Sequence, residues 1–125
     1  MKRTERPYIA GFTAVPHELI RQHMADLAGG ELKCLLYIVD RTLGFNKASD
    51  RISLSQFSEG ITRKDGTRLD RGTGLSRSAV KKALRGLIEK GLVGRERNRS
   101  RGGDLDSSTY WLEEVGGPGS PWGEF

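Results

Sequence analysis

Residues 76–90 carry the side chains with the clearest chemistry, because polar and apolar positions there separate at helical spacing. The polar arc holds Ser76, Arg77, Ser78, Lys81, Lys82 and Arg85. The apolar arc holds Ala79, Val80, Ala83, Leu84, Leu87 and Ile88. At about 100° per residue this pattern predicts a helix that packs by one side and presents cations on the other. Such a face suits the major groove of DNA, where Arg and Lys reach guanine edges; an ordinary solvated helix is the alternative.

A second set of cations alternates along the chain after this helix. Four arginines occupy every second position, which would place them all on one face of a strand: Arg95, Arg97, Arg99 and Arg101. A stripe of this kind suits contact with phosphates or with the minor groove. A disordered arginine-rich loop and an RNA-binding segment are the alternatives left open. Tyr110 and Trp111, which follow, are expected to pack within the hairpin rather than stack on bases.

The positive charge is concentrated in one third of the chain. The formal net charge is +5, and residues 63–101 alone hold 13 basic and 4 acidic residues. A concentrated field of one sign attracts polyanions, so double-stranded DNA is the first partner to expect. A basic surface that only serves solubility is the alternative interpretation.

Apolar periodicity predicts two helices before this region. Pro16 suits the first turn of a helix whose apolar positions are Leu19, Ile20, Met24 and Leu27. A Gly29-Gly30 break follows. The next helix runs from Glu31 to Gly44, and its apolar positions are Leu32, Leu35, Leu36, Val39 and Leu43. We expect this second helix to belong to the core.

Short elements fill the middle of the chain. Residues 51–53 suit one edge strand, and Ser53 or Ser55 can cap a short helix that ends at Glu59 with Leu54 and Phe57 inward. Residues 60–73 have no helical period and contain Asp65-Gly66, which predicts an inserted loop or small hairpin. We expect this loop beside the DNA face, because it leads into the cationic helix and carries Arg63, Lys64, Arg68 and Arg71.

Residues 92–97 and 108–112 are extended runs on either side of a Gly- and Arg-rich loop, which predicts a hairpin. A short helix, a cationic helix and then a hairpin is the order of a winged helix-turn-helix. The predicted class is α+β, mainly α, with three or four helices and a two- or three-stranded wing sheet. We expect one domain over residues 12–115, a flexible arm at 1–11 and a flexible tail at 116–125.

Three segments also resemble a known family. GFTAVPHELI, RTLGFNKASDRISLSQFSEG and TGLSRSAVKKALRGLIEKGLV look like the N-terminal domain of bacteriophage replication protein O, over residues 11–112. The middle segment, with GFNK followed by DRISLSQ, is the specific part. The resemblance implies a winged helix that binds repeated sites in a phage-type replication origin. Replication proteins are then further candidate partners, and so is a second copy of the chain on DNA.

The sequence lacks the motifs of common catalytic sites. It has no GxxxxGK[ST] phosphate loop, no HExxH and no CxxC pair. We therefore expect a binding protein rather than an enzyme, without cofactor or metal. Asp104 and Asp106 suit a turn better than a Mg²⁺ pair, and Cys34 suits a buried core position.

Two further expectations concern location and role. No apolar run reaches the roughly 18 residues of a membrane span, and no signal-peptide pattern is present, so we expect a cytoplasmic protein without membrane contact. The alternative function is a winged-helix transcriptional regulator.

Overall fold

The computed structural model describes residues 11–98 and 107–113. Within them the chain forms three α-helices and a three-stranded antiparallel sheet. The helices are α1 Gly29–Thr42, α2 Leu54–Glu59 and α3 Arg77–Glu89, and the strands are β1 Asp50–Ser53, β2 Val93–Arg97 and β3 Ser107–Leu112. The predicted α+β, mainly helical class is confirmed, and the order of elements is compatible with a winged helix.

Several predicted features lie outside the described residues. These are Arg99, Arg101, Asp104, Asp106, the arm before Gly11 and the tail at 116–125. No helix in the described ranges is long and apolar enough to cross a membrane.

β3 is the central strand of the sheet, with β1 and β2 on its two sides. Arg95 lies opposite Tyr110 in the β2–β3 ladder, and Ile52 lies opposite Ser108 in the β1–β3 ladder. Directly opposed residues share a face of the sheet. Because Ile52 and Tyr110 are buried, this is the face that meets the helices. The predicted hairpin and edge strand are confirmed, and the two belong to one sheet.

The first predicted helix is not a regular α-helix. Leu19–His23 form a π-helical turn and Met24–Asp26 a 3₁₀ turn. Leu19 is buried, whereas Ile20 and Met24, which share its helical spacing in the sequence, are exposed. A segment this short packs on the core mainly through one residue and has no continuous apolar surface to follow.

α1 is shifted by two residues from its predicted bounds of 31–44. The Gly29-Gly30 pair forms its first turn, so the prediction of a break there is wrong. The turn is stabilised because the Glu31 carboxylate accepts a hydrogen bond from the Ala28 amide at 2.8 Å. Beyond the other end, Asn46 closes a 3₁₀ turn in the left-handed region, with φ 54°.

The buried side of α1 is formed mainly by Cys34, Leu35, Ile38 and Val39. Leu36 is 40% exposed, which corrects its predicted core position. It lies about 100° around the helix from Leu35, on the side away from Ile38. Burial raises the pKa of the Cys34 thiol to about 12, which keeps it protonated at neutral pH. The predicted buried position of Cys34 is confirmed.

A reciprocal cap fixes the start of α2. Ser53 Oγ accepts a hydrogen bond from the Gln56 amide at 3.1 Å, and Gln56 Oε1 accepts one from the Ser53 amide at 3.2 Å. Of the two predicted serines, Ser53 is therefore the cap. Leu54 and Phe57 are buried as predicted, and the Phe57 ring meets Tyr110 edge-on at 5.2 Å between centroids.

The core holds α3 by its apolar side. Val80, Ala83, Leu84 and Leu87 are buried, and Ala79 and Ile88 are half-buried. Ser76 caps the helix by accepting a hydrogen bond from the Ala79 amide at 3.2 Å. The amphipathic helix is confirmed, and its polar arc faces outward.

Residues 60–73 form a small hairpin that is closed at its base. Thr62 and Arg68 make an antiparallel bridge. Gly60 and Gly72 have positive φ values of 85° and 65°, and a Cβ on either one would overlap backbone atoms. The inserted segment is therefore an ordered hairpin, one of the two predicted forms.

A polar network centred on Arg41 anchors this hairpin to α1. The Tyr37 hydroxyl donates a hydrogen bond to Asp70 Oδ1 at 3.1 Å, and it accepts one from Arg41 at 3.4 Å. Burial raises the pKa of Tyr37 to about 12, so the hydroxyl keeps the proton that it donates. Arg41 also pairs with Asp50 at 2.7 Å and bonds to Gln56 at 3.3 Å. The network therefore joins α1, β1, α2 and the hairpin.

Candidate nucleic-acid interface

The cationic helix and the cationic strand meet in one concave site between α3 and β2. The site has a volume of about 290 Å³. Its cations are Lys81, Arg85, Arg95 and Arg97, and Leu54, Leu84, Ser108 and Tyr110 complete its lining. We call this site the α3–β2 cleft. Two sets of side chains that were predicted separately therefore share one surface.

The local structure explains why these cations converge. Lys81 and Arg85 are four residues apart on α3, so they lie one above the other on the same side of the helix. Arg95 and Arg97 pair with Tyr110 and Ser108 in the ladder, which turns both arginines to the sheet face that meets α3. The predicted common face of Arg95 and Arg97 is confirmed for this described pair.

The floor of the cleft is formed by a buried tyrosine. Tyr110 is 1% exposed, and burial raises its pKa while hydrogen bonds with Ser108 and Arg95 partly oppose the rise. The hydroxyl therefore stays protonated, and the half-buried Arg95 lies beside it in the lining of the cleft. The predicted packing role of Tyr110 is confirmed. Trp111 lies on the other sheet face, where its ring covers Gly94 and its Nε1 donates to Glu113 at 3.0 Å.

The rest of the polar arc surrounds the cleft along α3. All six predicted positions are exposed: Ser76, Arg77, Ser78, Lys81, Lys82 and Arg85. Within the described part of the chain, no carboxylate forms an ion pair with Lys81, Lys82 or Arg85. Among the described residues nothing therefore neutralises these three cations, and a surface of this kind attracts anions.

The four cations of the 60–73 hairpin are not among the described residues that line the α3–β2 cleft. Arg63, Lys64, Arg68 and Arg71 are all exposed. Arg63 lines a second cleft of about 400 Å³ on the α1 side of the hairpin, with Phe45 and Lys47. Arg68 donates to the Glu59 carbonyl at 2.7 Å and to the Asp70 carbonyl at 3.3 Å.

Sequence reasoning missed the contacts that position the interface. Arg41 ties β1 and α2 to α1, and Glu31 of α1 pairs with Lys90 at the end of α3 at 2.6 Å. Glu31 and Lys90 are 59 residues apart, so no local period relates them. The sequence indicated this ion pair only through residue chemistry. A glutamate at the start of an otherwise apolar interhelical face needs a cationic partner.

The fold and this surface define a mainly helical α+β domain with an exposed cationic helix beside a cationic strand. The family model described as bacteriophage replication protein O matches residues 9–110. The chain therefore belongs to the bacteriophage replication protein O family, as the resemblance predicted, and it has a role in phage replication. No curated protein and no solved structure matched the chain.

Proposed function

We propose that this chain binds double-stranded DNA at a phage-type replication origin, with α3 in the major groove and the β2–β3 wing against the adjacent backbone. The observation that carries the proposal is the α3–β2 cleft, where Lys81 and Arg85 meet Arg95 and Arg97. A helix held by its apolar side while its cations point outward can enter a groove about 12 Å wide.

Each part of the surface has a separate proposed task. Arg77, Ser78 and Lys81 lie in the first turns of α3 and are proposed to reach base edges, where arginine and lysine contact guanine. Lys82 and Arg85 are proposed to contact the groove or its phosphates. Arg95 and Arg97 are proposed to bind backbone phosphates, which fixes the position of the helix without reading sequence.

The hairpin at 60–73 is proposed to add a flanking contact. Arg63, Lys64, Arg68 and Arg71 would then reach phosphates beyond the site that α3 reads. The support is the ordered backbone of the hairpin, since its closed base and the hydrogen bond from Tyr37 to Asp70 fix the segment that carries these cations before DNA binds. A preorganised arm binds at a lower entropic cost than a flexible one.

Binding alone is the proposed activity, without catalysis, cofactor or metal, and the proposed place of action is the cytoplasm. Family membership favours replication over transcriptional regulation. Repeated sites in an origin would allow several copies to bind side by side, so a dimer on DNA and contacts with replication proteins belong to the same proposal.

Selection of binding sites from random duplex DNA tests the proposal. The purified chain should enrich one motif, and footprinting on the phage genome should protect repeats of that motif within a replication gene. The Lys81→Ala variant should lose the enrichment. Protection of a single promoter operator would support a regulator instead, and equal binding of all duplexes or tighter binding of RNA would contradict origin recognition.

A further inference from the structure

A buried carboxylate lies between α1 and α3, close to the proposed DNA-reading face. Glu31 is 7% exposed and belongs to the first turn of α1. Its Oε1 accepts hydrogen bonds from the Ala28 amide at 2.8 Å and from Lys90 Nζ at 2.6 Å, and its Oε2 accepts a second one from Nζ at 2.8 Å. The beginning of α1 is thus tied to the end of α3.

Gly86 makes room for this carboxylate. It lies inside α3, and a Cβ at this position would overlap Glu31 Oε2 and crowd the carboxylate carbon at 3.0 Å. Glycine is the least favourable residue of a helix interior apart from proline. The close approach of Glu31 to the α3 backbone explains why glycine occupies this position. We call the contact among Glu31, Gly86 and Lys90 the helix lock.

The carboxylate is charged at neutral pH. Burial raises the pKa of Glu31, but the hydrogen bonds from Lys90 and Ala28 and the Lys90 charge together outweigh it and lower the pKa from its ordinary value. Only the carboxylate of this ion pair is buried, because the Lys90 side chain is 39% exposed, and such a pair adds little net stability compared with apolar packing. We therefore expect the Glu31–Lys90 pair to affect mainly the angle between α1 and α3.

The lock is next to residues of the proposed interface. Gly86 follows Arg85 and is one helical turn beyond Lys82. All three line a largely apolar groove of about 620 Å³ between α1 and α3, together with Leu75 and Ala79. A change in how α3 sits on α1 would therefore move Lys82 and Arg85 directly.

We propose that the helix lock is a positioning device, which sets the angle of α3 against α1 and so determines how well the chain distinguishes its preferred DNA site from random DNA. This inference rests on the proposed DNA-binding function. Glu31, Gly86 and Lys90 act through α3 and need not touch DNA themselves. Small displacements of a reading helix weaken base contacts more than phosphate contacts, because base contacts require fixed hydrogen-bond geometry.

The test measures the ratio of affinities for the selected site and for random duplex in the wild type, Gly86→Ala, Glu31→Ala and the double variant. Each single change should lower the ratio by about five- to tenfold. The double variant should match Glu31→Ala alone, because the alanine Cβ then has no carboxylate to displace. A partly unfolded sample lowers both affinities equally, so loss of folded protein alone leaves the ratio unchanged.

Gly30→Ala is the matched control, since it adds the same methyl group to α1 at the same groove. A Cβ there would lie 3.5 Å from Leu75 Cδ1, an ordinary contact, so the ratio should stay at the wild-type value. If the wild type shows a preference that Gly86→Ala and Glu31→Ala retain, the positioning role is wrong while the proposed function stands. If the wild type prefers no DNA site, both are wrong.

Discussion

Arg95 and Tyr110 are directly opposed in the β2–β3 ladder, and this pairing turns a half-buried guanidinium toward α3. The tyrosine is buried, and the neighbouring Arg95 partly opposes the rise that burial causes in its pKa, so the phenol and this cation of the α3–β2 cleft interact. The relationship links the packing of the wing to its proposed contact with DNA.

Removal of the Tyr110 hydroxyl should therefore affect both stability and binding. We expect Tyr110→Phe to lower the free energy of unfolding by about 0.5–1.5 kcal/mol, the usual contribution of one hydrogen bond. DNA affinity should fall by a similar energy, because Arg95 loses the group that orients it. Urea unfolding and a DNA titration of the same sample measure the two effects. Unchanged affinity would show that the orientation of Arg95 is irrelevant to binding.

The Glu31 carboxylate should make stability depend on acid pH. Its pKa is lower in the folded chain than the ordinary value of 4.5, so its contribution is fully present above about pH 5. The contribution is lost as pH falls below 4.5 and through the lowered folded pKa. Urea unfolding from pH 7 to pH 3 should show a smaller loss of stability in Glu31→Gln than in the wild type. Parallel curves for the two proteins would contradict the assigned shift.

Affinity for DNA should fall steeply with salt. Each phosphate contact releases about 0.9 condensed counterions from duplex DNA, so log K against log salt should have a slope of several units. Replacing Arg97 by Ala should reduce the slope by about one unit. Arg21→Ala, at an exposed position of the π-helical turn, makes the same charge change away from the cleft and should leave the slope unchanged. A flat salt response of the wild type would rule out the electrostatic part of the proposal.

The hairpin cations should separate into two groups. Lys64→Ala should reduce the salt slope by about one unit and leave stability unchanged, because its side chain is exposed and makes no hydrogen bond to another described residue. Arg68→Ala should also lower the melting temperature, since it removes two hydrogen bonds to backbone carbonyls. Binding isotherms at several salt concentrations, together with thermal unfolding, distinguish the two. An unchanged salt slope for both variants would place the hairpin away from DNA.

Local patterns in the sequence predicted the elements that present the interface. The two arcs of α3 and the alternation of Arg95 and Arg97 each depend on neighbours a few residues away, and both were predicted correctly. These features follow from helix and strand periods, which local sequence determines.

The structural features that the sequence did not predict depend on contacts between residues far apart in the chain. The start of α1 at Gly29 depends on a carboxylate bound to Lys90, and the hairpin depends on the link from Tyr37 to Asp70. Neither pair is related by a helical or strand period. The apolar spacing of Ile20 and Leu36 was misleading, because the position of a core is set by how elements pack and not by apolar type alone.

The most direct test of the central claim compares one helix variant with one wing variant on the preferred site and on random duplex. Lys81→Ala should cost about 1 to 3 kcal/mol on the preferred site and much less on random DNA, because it removes a base contact. Arg97→Ala should weaken binding to both duplexes by similar factors, because it removes a phosphate contact. If Arg97→Ala abolished site preference while Lys81→Ala weakened both duplexes equally, the wing would be the reading element and the assignment of α3 would be wrong.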